Sequence, residues 1–365
     1  MGTGGRGAVT DVDVAVVGGG QAGIATGYFL RRAGADFVVL DDRATPGGAW
    51  TEYWDSLRLF SPAGHSMLPG WWMPPEEGHE YPSAHHVVWY LTEYERRYRL
   101  PVHRPVTVER VERENGHDLP GGRLRVVTDR GTWRARHVIS ATGNWSAPHL
   151  PSIPGREVFA GRELHTVDYR GPDDFAGQRV VVVGGGNSAA QIIAELSLVA
   201  DTTWVAARPP RFMPDDVDAR ALFDLATRRG RGEEGPGVGD LGDIVVVPSV
   251  REARERGALK AEPMIERLTP GGVAWPDGST LEADAVLWCT GFRPALGHLV
   301  PLGVDDGHGR VRVGADNRAV AEPRLSMVGY GDWTGFASAT IIGAGRTAKS
   351  TVAAVTEALE REGRV

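Results

Sequence analysis

Apolar residues in this chain come in short runs that stop at glycine, and the spacing of the polar positions decides what each run predicts. The run Asp13-Val14-Ala15-Val16-Val17 ends in Gly18-Gly19-Gly20, and over 21–30 the apolar positions return at helical spacing until a stop near Gly34. Phe37-Val38-Val39-Leu40 is a second short run, closed by Asp41. A near-continuous apolar run suits a strand covered on both faces, so the order predicted is strand, tight turn, helix, strand. That order returns later: a run at 179–183, then Gly184-Gly185-Gly186-Asn187-Ser188-Ala189, an apolar-faced helix over 190–200, and a strand at 203–207.

Other segments fill in around these two units. Ser83 stands where a helix N-cap is wanted, ahead of helical periodicity over 87–98. Segments 105–111, 124–128 and 131–135 alternate and predict a small antiparallel sheet near residues 103–135, followed by a core strand at 137–140 that closes in Ala141-Thr142-Gly143. The Pro-rich stretch 147–155 reads as an interdomain connection. Asp277-Gly278 marks a hairpin turn, 285–294 a buried strand ending at a glycine turn, and 325–332 a strand ending in Asp332. A last helix starts near residue 340 and becomes amphipathic over 348–361. Residues 54–82 are irregular and rich in Pro, Trp and Met, which suits either a poorly packed flap or the wall of an apolar pocket. Residues 214–262 fit no simple repeat. A helix within 215–229, a Gly-rich loop at 231–242 and a charged helix at 250–256 predict an insertion placed to roof an active site.

Composition narrows the classes. At 365 residues the chain suits about two domains. A net charge of −7 disfavours nucleic acid as a partner. Cys289 is the only cysteine, which excludes an internal disulfide, a Cys-x-x-Cys pair and cysteine-built metal sites. His65, His79, His85 and His86 show no metal-box spacing, so no metal is expected. Residues 1–9 lack an apolar signal core, and no segment approaches about 18 continuous apolar residues. A soluble cytoplasmic protein with no membrane partner is the expectation.

The glycine turns carry the chemistry. In Gly18-x-Gly20-x-x-Gly23 the first glycine makes the turn, the second lets a pyrophosphate approach the backbone, and the third lets helix and strand pack. Asp41 lies about 20 residues beyond Gly20, where a carboxylate meets ribose hydroxyls. In the second copy Ala189 takes the third glycine position, and no carboxylate ends the following strand. Arg208 and Arg211 stand there instead, which suits a 2′-phosphate and favours NADPH over NADH.

With two such motifs the chain resembles the two-dinucleotide-binding-domain flavoproteins, over nearly all its length. Phe159-x-Gly161-x-x-x-His165-x-x-x-Tyr169 matches the fingerprint of flavin-containing monooxygenases. Tyrosine followed by Arg170 resembles the heteroatom-oxidising branch more than the Baeyer–Villiger branch. The strings Trp54-Asp55-Ser56-Leu57-Arg58-Leu59-Phe60-Ser61-Pro62, Arg211-Phe212-Met213-Pro214-Asp215-Asp216-Val217-Asp218 and Gly329-Tyr330-Gly331-Asp332-Trp333-Thr334-Gly335-Phe336-Ala337-Ser338-Ala339-Thr340 are similar to the ArsO-type monooxygenases linked to arsenic resistance.

The resemblance implies an α/β fold of two Rossmann-like domains, the second inserted into the first. Residues 10–152 and 286–365 would bind FAD, and 153–285 NADPH. It assigns to FAD Gly18, Gly20, Gln21, Gly23, Asp41, Gly48, Trp50, Val108, Ala141, Thr142, Gly143, Asp332 and Thr340. To NADPH it assigns Gly184, Gly186, Asn187, Ser188 and Arg208. In the implied cycle NADPH reduces FAD, the flavin adds dioxygen as a hydroperoxide, and a soft heteroatom (sulfur, nitrogen or trivalent arsenic) of a small substrate takes one oxygen atom. No side chain is assigned a catalytic role, and His165 reads as orienting or structural. Trp50, Phe60 and the aromatic stretch are expected to exclude water, with Phe60 replacing an asparagine common in the family. Two rival readings keep the fold: an NADPH-dependent flavin reductase or oxidase, and a non-catalytic redox sensor. The oligomeric state stays open, a homodimer included.

Overall fold

The computed structural model describes residues 9–114, 122–215 and 242–363. Strand β1 (Val9–Val17) runs into helix α1 (Gln21–Ala33), whose chain turns at left-handed Gly34 into β2 (Phe37–Leu40). Helix α2 (Ala84–Tyr98) begins at Ser83, whose hydroxyl accepts from the His86 amide. Then come β3 (Val102–His103), β4 (Val108–Arg113), β5 (Leu124–Thr128) and β6 (Gly131–Ser140). The second unit holds β7 (Arg162–His165), β8 (Arg179–Val183), α3 (Asn187–Leu196), β9 (Asp201–Ala206), α4 (Pro248–Glu255) and β10 (Ala261–Pro263). It ends in β11 (Arg267–Thr269), β12 (Gly272–Ala274), β13 (Thr280–Glu282) and β14 (Ala285–Trp288). The chain closes with β15 (Leu325–Met327) and α5 (Ile341–Glu362).

The first sheet has the order β3-β2-β1-β6-β5-β4, with β15 also paired to β6. The second has the order β10-β9-β8-β14-β7, all parallel. Because β15 returns to the first sheet after the whole of the second, the second α/β unit is inserted into the first. Val14, Ala15 and Val16 of β1 are fully buried, as are Val182 and its neighbours in β8. Each large aliphatic side chain buried so contributes about 1.5–3 kcal/mol, and that burial on both faces makes the two apolar runs the sheet centres. No helix among the described residues is long and apolar enough to cross a membrane.

Three differences from the sequence reading have physical causes. The segments 131–135 and 137–140 are one ten-residue strand, β6, which pairs antiparallel with β5 at its start and parallel with β15 at its end, with β1 alongside. Changing one neighbour requires no break in the strand. The aromatic stretch around Leu68–Met73 is neither a loose flap nor the wall of the main cleft. Leu68 and Met73 are buried in the core shared by α1, α2 and α5. Tyr90 accepts from the Leu68 amide and donates to the Trp71 carbonyl, both at 2.7 Å, and Tyr94 donates to the Pro69 carbonyl at 2.6 Å. Hydroxyls far along the chain thus satisfy a backbone that forms no regular ladder. Finally, the strand read over 325–332 is only three residues long, since left-handed Gly329 and Gly331 turn the chain away from the sheet. The helix expected within 215–229, nearly all of the Gly-rich loop and the end of the Arg211–Asp218 string lie outside the described residues.

Candidate functional site

The turn after β1 is built by close backbone approach. Gly18 has φ +102°, and a Cβ there would stand 2.5 Å from the Ala141 carbonyl oxygen. A Cβ on Gly23 would stand 1.8 Å from the Gly18 carbonyl oxygen, so this glycine joins α1 to the end of β1. Gly20 faces Gly48, where φ is +57° and a Cβ would lie 2.7 Å from the Gly20 Cα. Two backbones therefore meet without side chains at the start of α1. That helix has no side-chain cap and no acid in its first turn, whereas α2 and α5 are capped by Ser83 and Thr340. The uncapped amides and the positive end of the helix dipole suit a phosphate.

A cleft of about 580 Å³ opens over this turn. Gly18, Gly20, Gln21, Asp41, Gly48, Trp50, Val108, Ala141, Thr142 and Gly143 all line it. Asp41 is buried, and its Oδ2 accepts from Arg104 Nε at 2.6 Å, while Arg104 Nη1 bonds Glu95 at 2.7 Å. Burial opposes the charge of Arg104, but its two carboxylate partners outweigh that and raise its pKa. Arg104 thereby orients Asp41 at the cleft wall. Thr142 is held from below: its hydroxyl donates to the Ala295 carbonyl at 2.8 Å and meets the Tyr330 hydroxyl at 2.7 Å. Tyr330 also meets Ser140 Oγ, which lies 3.0 Å from His298 Nε2. This buried polar network was not visible in the sequence, because Ser140, His298 and Tyr330 come from three distant segments.

One wall is aromatic. Tyr53 lies between Trp50, at 5.0 Å between ring centres, and Trp145, at 4.2 Å. Phe292 stacks on Trp145 at 5.1 Å. Burial pushes the Tyr53 phenol up to about 12, still further from ionisation at neutral pH than an exposed phenol. Phe60 is not among the lining residues and packs against the core of the second unit. Tyr53, Trp145 and Phe292 were missed as wall residues. Trp50 and Phe292 each sit in a motif that agrees with the family, Gly47-Gly48-x-Trp50 and Cys289-Thr290-Gly291-Phe292, whereas Tyr53 and Trp145 were marked by no motif.

The second turn repeats the first with one change. A Cβ on Gly184 would stand 2.2 Å from the Cys289 carbonyl oxygen, but one on Gly186 meets nothing within 4 Å. Helix α3 starts at Gly186 without a side-chain cap, and Ser188 lies half-buried in its first turn. Asn187 is engaged by the chain itself: its Oδ1 accepts from the Val245 amide at 2.9 Å, and its Nδ2 donates to the Asp243 carbonyl at 3.3 Å. Arg211 forks onto Asp243 at 3.0 and 2.9 Å, while Arg208 is exposed at the end of β9 with no ion-pair partner among the described residues. Of the two arginines, Arg208 is the one open to a ligand.

The remaining sequence candidates lie elsewhere. Asp332 is exposed and outside the cleft lining, which Gly329 and Ala339 complete on that side. Thr340 spends its hydroxyl on the Gly343 amide and the Ala337 carbonyl, as the cap of α5. His165 Nε2 lies 3.1 Å from the Gly291 carbonyl oxygen, and burial lowers its pKa, so it is a neutral tie between the end of β7 and the turn after β14.

Over residues 15–218 the chain matches the pyridine nucleotide-disulphide oxidoreductase family. A solved flavin-containing monooxygenase from Stenotrophomonas maltophilia superposes on it with a TM-score of 0.87 at 48% identity, covering 96% of this chain and 99% of that one. The chain belongs to the flavin-containing monooxygenase family. It is also 30% identical over 305 residues to CzcO, an uncharacterized oxidoreductase of Bacillus subtilis, across 82% of this chain and 86% of that protein. The indole-3-pyruvate monooxygenase YUCCA8 of Oryza sativa is 28% identical over 323 residues, 76% of this chain and 75% of that one.

As a family member this monooxygenase uses FAD and NADPH. The site fits them: two uncapped helix starts, a side-chain-free contact at Gly20 and Gly48, and open space over Gly186. The chain has no cysteine pair for the dithiol chemistry in the wider family's name: Cys289 is alone, and burial pushes its thiol up to about 12.

Proposed function

We propose that this flavin-dependent monooxygenase places one atom of dioxygen on a soft heteroatom (sulfur, nitrogen or trivalent arsenic) of a small neutral substrate. The other oxygen atom leaves as water, and NADPH supplies the two electrons. The observation that carries this reading is the wall of Trp50, Tyr53, Trp145 and Phe292 beside the first glycine turn. An apolar aromatic wall favours an uncharged reactant and keeps water from the reacting centre, while the cofactor supplies the oxygen chemistry.

In this reading FAD is held by Gly18, Gly20, Gln21 and Gly23, by Asp41 at the ribose, by Gly48 and Trp50, by Val108, and by the Ala141-Thr142-Gly143 turn. Asp332 and Thr340 would act from the late segment. Gly184, Gly186, Asn187 and Ser188 hold the pyrophosphate of NADPH, and Arg208 its 2′-phosphate. The exposure of Arg208 supports that assignment, whereas Asn187 contributes through the loop it ties down.

The test is NADPH oxidation with a thioether, a tertiary amine and a trivalent arsenical, each with product analysis. The expected result is a sulfoxide, an N-oxide or a pentavalent arsenical, one per NADPH consumed. Stimulation by the arsenical alone would narrow the substrate to the ArsO-type reading. Hydrogen peroxide as the sole product with every compound would favour a reductase or oxidase instead.

A further inference from the structure

Glu195, two turns along α3 from the second glycine motif, makes contacts that neither glycine motif uses. Its Oε1 accepts from the Tyr169 hydroxyl at 2.6 Å, and its Oε2 accepts from Ser56 Oγ. No cation pairs with it among the described residues. Arg256, which reaches the same helix, bonds the Ala194 carbonyl and Ser197 Oγ instead. Burial raises the pKa of this carboxyl, and the two hydroxyl donors only partly offset that.

The two donors come from different parts of the molecule. Tyr169 is the last residue of the family fingerprint and is fully buried in the core of the second unit. Ser56 follows the aromatic wall by three residues, in a segment of the first unit that lies across the second. Trp54 of that segment is buried in the second unit's core, edge-on to Tyr169 at 5.9 Å. Leu57 is buried in the same core, and Arg170 Nη1 donates to the Glu52 carbonyl at 3.1 Å. The segment carrying Tyr53 is therefore fastened to the second unit at Glu52, Trp54, Ser56 and Leu57. Only the Ser56 fastening depends on a half-buried carboxyl, which is costly to desolvate where a neutral side chain would pack at lower cost.

We infer that Glu195 is a positioning residue that sets the register between α3, which starts at the NADPH motif, and the aromatic wall of the flavin cleft. This inference rests on the cofactor assignments proposed above. Hydride transfer from NADPH to the flavin oxidises the first to NADP⁺ and reduces the second by two electrons. Its rate depends on donor and acceptor atoms being placed to within about 1 Å. Glu195 touches neither cofactor site. It fixes the relative position of the two elements that do, so its loss should change the rate of reduction and leave both affinities in place.

The test uses the FAD-loaded protein with Glu195→Ala, Glu195→Gln, Tyr169→Phe and Ser56→Ala. Flavin content and NADP⁺ affinity are measured first, then the anaerobic rate of flavin bleaching by NADPH. Hydrogen exchange over 52–60 is followed in the flavin-free protein. For Glu195→Ala the expected result is unchanged flavin content and NADP⁺ affinity, a reduction rate lower by about tenfold or more, and faster exchange over 52–60. Glu195→Gln keeps one acceptor and should recover part of the rate. Tyr169→Phe and Ser56→Ala should each give a smaller loss, and combining either with Glu195→Ala should add little. An unaltered reduction rate in folded Glu195→Ala, or affinity and rate falling together, overturns the inference. If Glu195→Ala does not fold, the single-donor variants and Glu195→Gln decide it by the same criteria. A wild-type protein whose flavin NADPH does not reduce would instead overturn the cofactor assignment.

Discussion

The Trp50 indole Nε1 donates to Gln21 Oε1 at 2.9 Å, and Gln21 Nε2 donates in turn to the Ala339 carbonyl at 2.7 Å. The first residue of α1 thus joins the aromatic wall to the segment that leads into α5. Replacing Gln21 by Ala removes both bonds, and Trp50→Phe removes one while keeping a ring. A hydrogen bond of this kind contributes about 0.5–1.5 kcal/mol, so FAD affinity should fall roughly 3- to 10-fold in Trp50→Phe and further in Gln21→Ala. Flavin fluorescence released on dialysis measures this. Wild-type retention by both variants would mean that the linkage does not support the cofactor.

The glycines of the two turns should separate folding from binding. Gly23→Ala drives a methyl into the Gly18 carbonyl and should cost about 3 kcal/mol of stability, read as a lower denaturant midpoint. Gly186→Ala meets nothing in the protein, so its denaturation curve should overlay that of the wild type. Its methyl occupies the approach to the backbone, and NADPH affinity should fall about tenfold. A destabilised Gly186→Ala with normal affinity would contradict the assignment of that turn.

Arg208 and Arg211 differ in what already occupies them. Arg208→Ala should raise the KM for NADPH by about tenfold or more and leave that for NADH nearly unchanged. Arg211→Ala should have the smaller effect, because its guanidinium is already forked onto Asp243. Steady-state kinetics with both nucleotides tests the ordering, and equal effects of Arg208→Ala on NADPH and NADH would remove the 2′-phosphate role.

His298 should contribute a pH dependence to stability. Burial lowers its pKa from 6.5 to about 4, so in the folded protein it stays neutral where the unfolded chain takes up a proton. Stability is then full above about 6.5 and declines as pH falls towards about 4, in total by about 3 kcal/mol from this residue. Denaturation of wild type and His298→Gln at a series of pH values should give a shallower slope for the variant. Parallel slopes would show that His298 is not the group involved.

Both glycine turns were legible because their cause is local. The helix start, the tight turn and the short apolar strand occupy consecutive residues, and Asp41 follows at a fixed distance along the chain. The N-cap at Ser83 and the hairpin turn at Gly278 were readable for the same reason. The stretch around Leu68–Met73 was not. Its order comes from Tyr90 and Tyr94 on α2, and no periodicity within the stretch reports those partners. Phe60 shows the same limit from the other side: its place in a motif suggested the cleft, but its contacts are with the second unit's core.

The sequence by itself determined that the chain folds into two nucleotide-binding units, that one motif keeps its acid and the other exchanges it for arginine, and that a single cysteine leaves no dithiol chemistry. These follow from neighbours within a few tens of residues. Only the tertiary structure decided which side chains face the cleft, that Arg104 orients Asp41, and that Tyr330 supports Thr142 from a segment 188 residues away. It also decided that Glu195 meets Tyr169 and Ser56. Burial and hydrogen-bond satisfaction are properties of what surrounds a group in space, and chain spacing does not encode them.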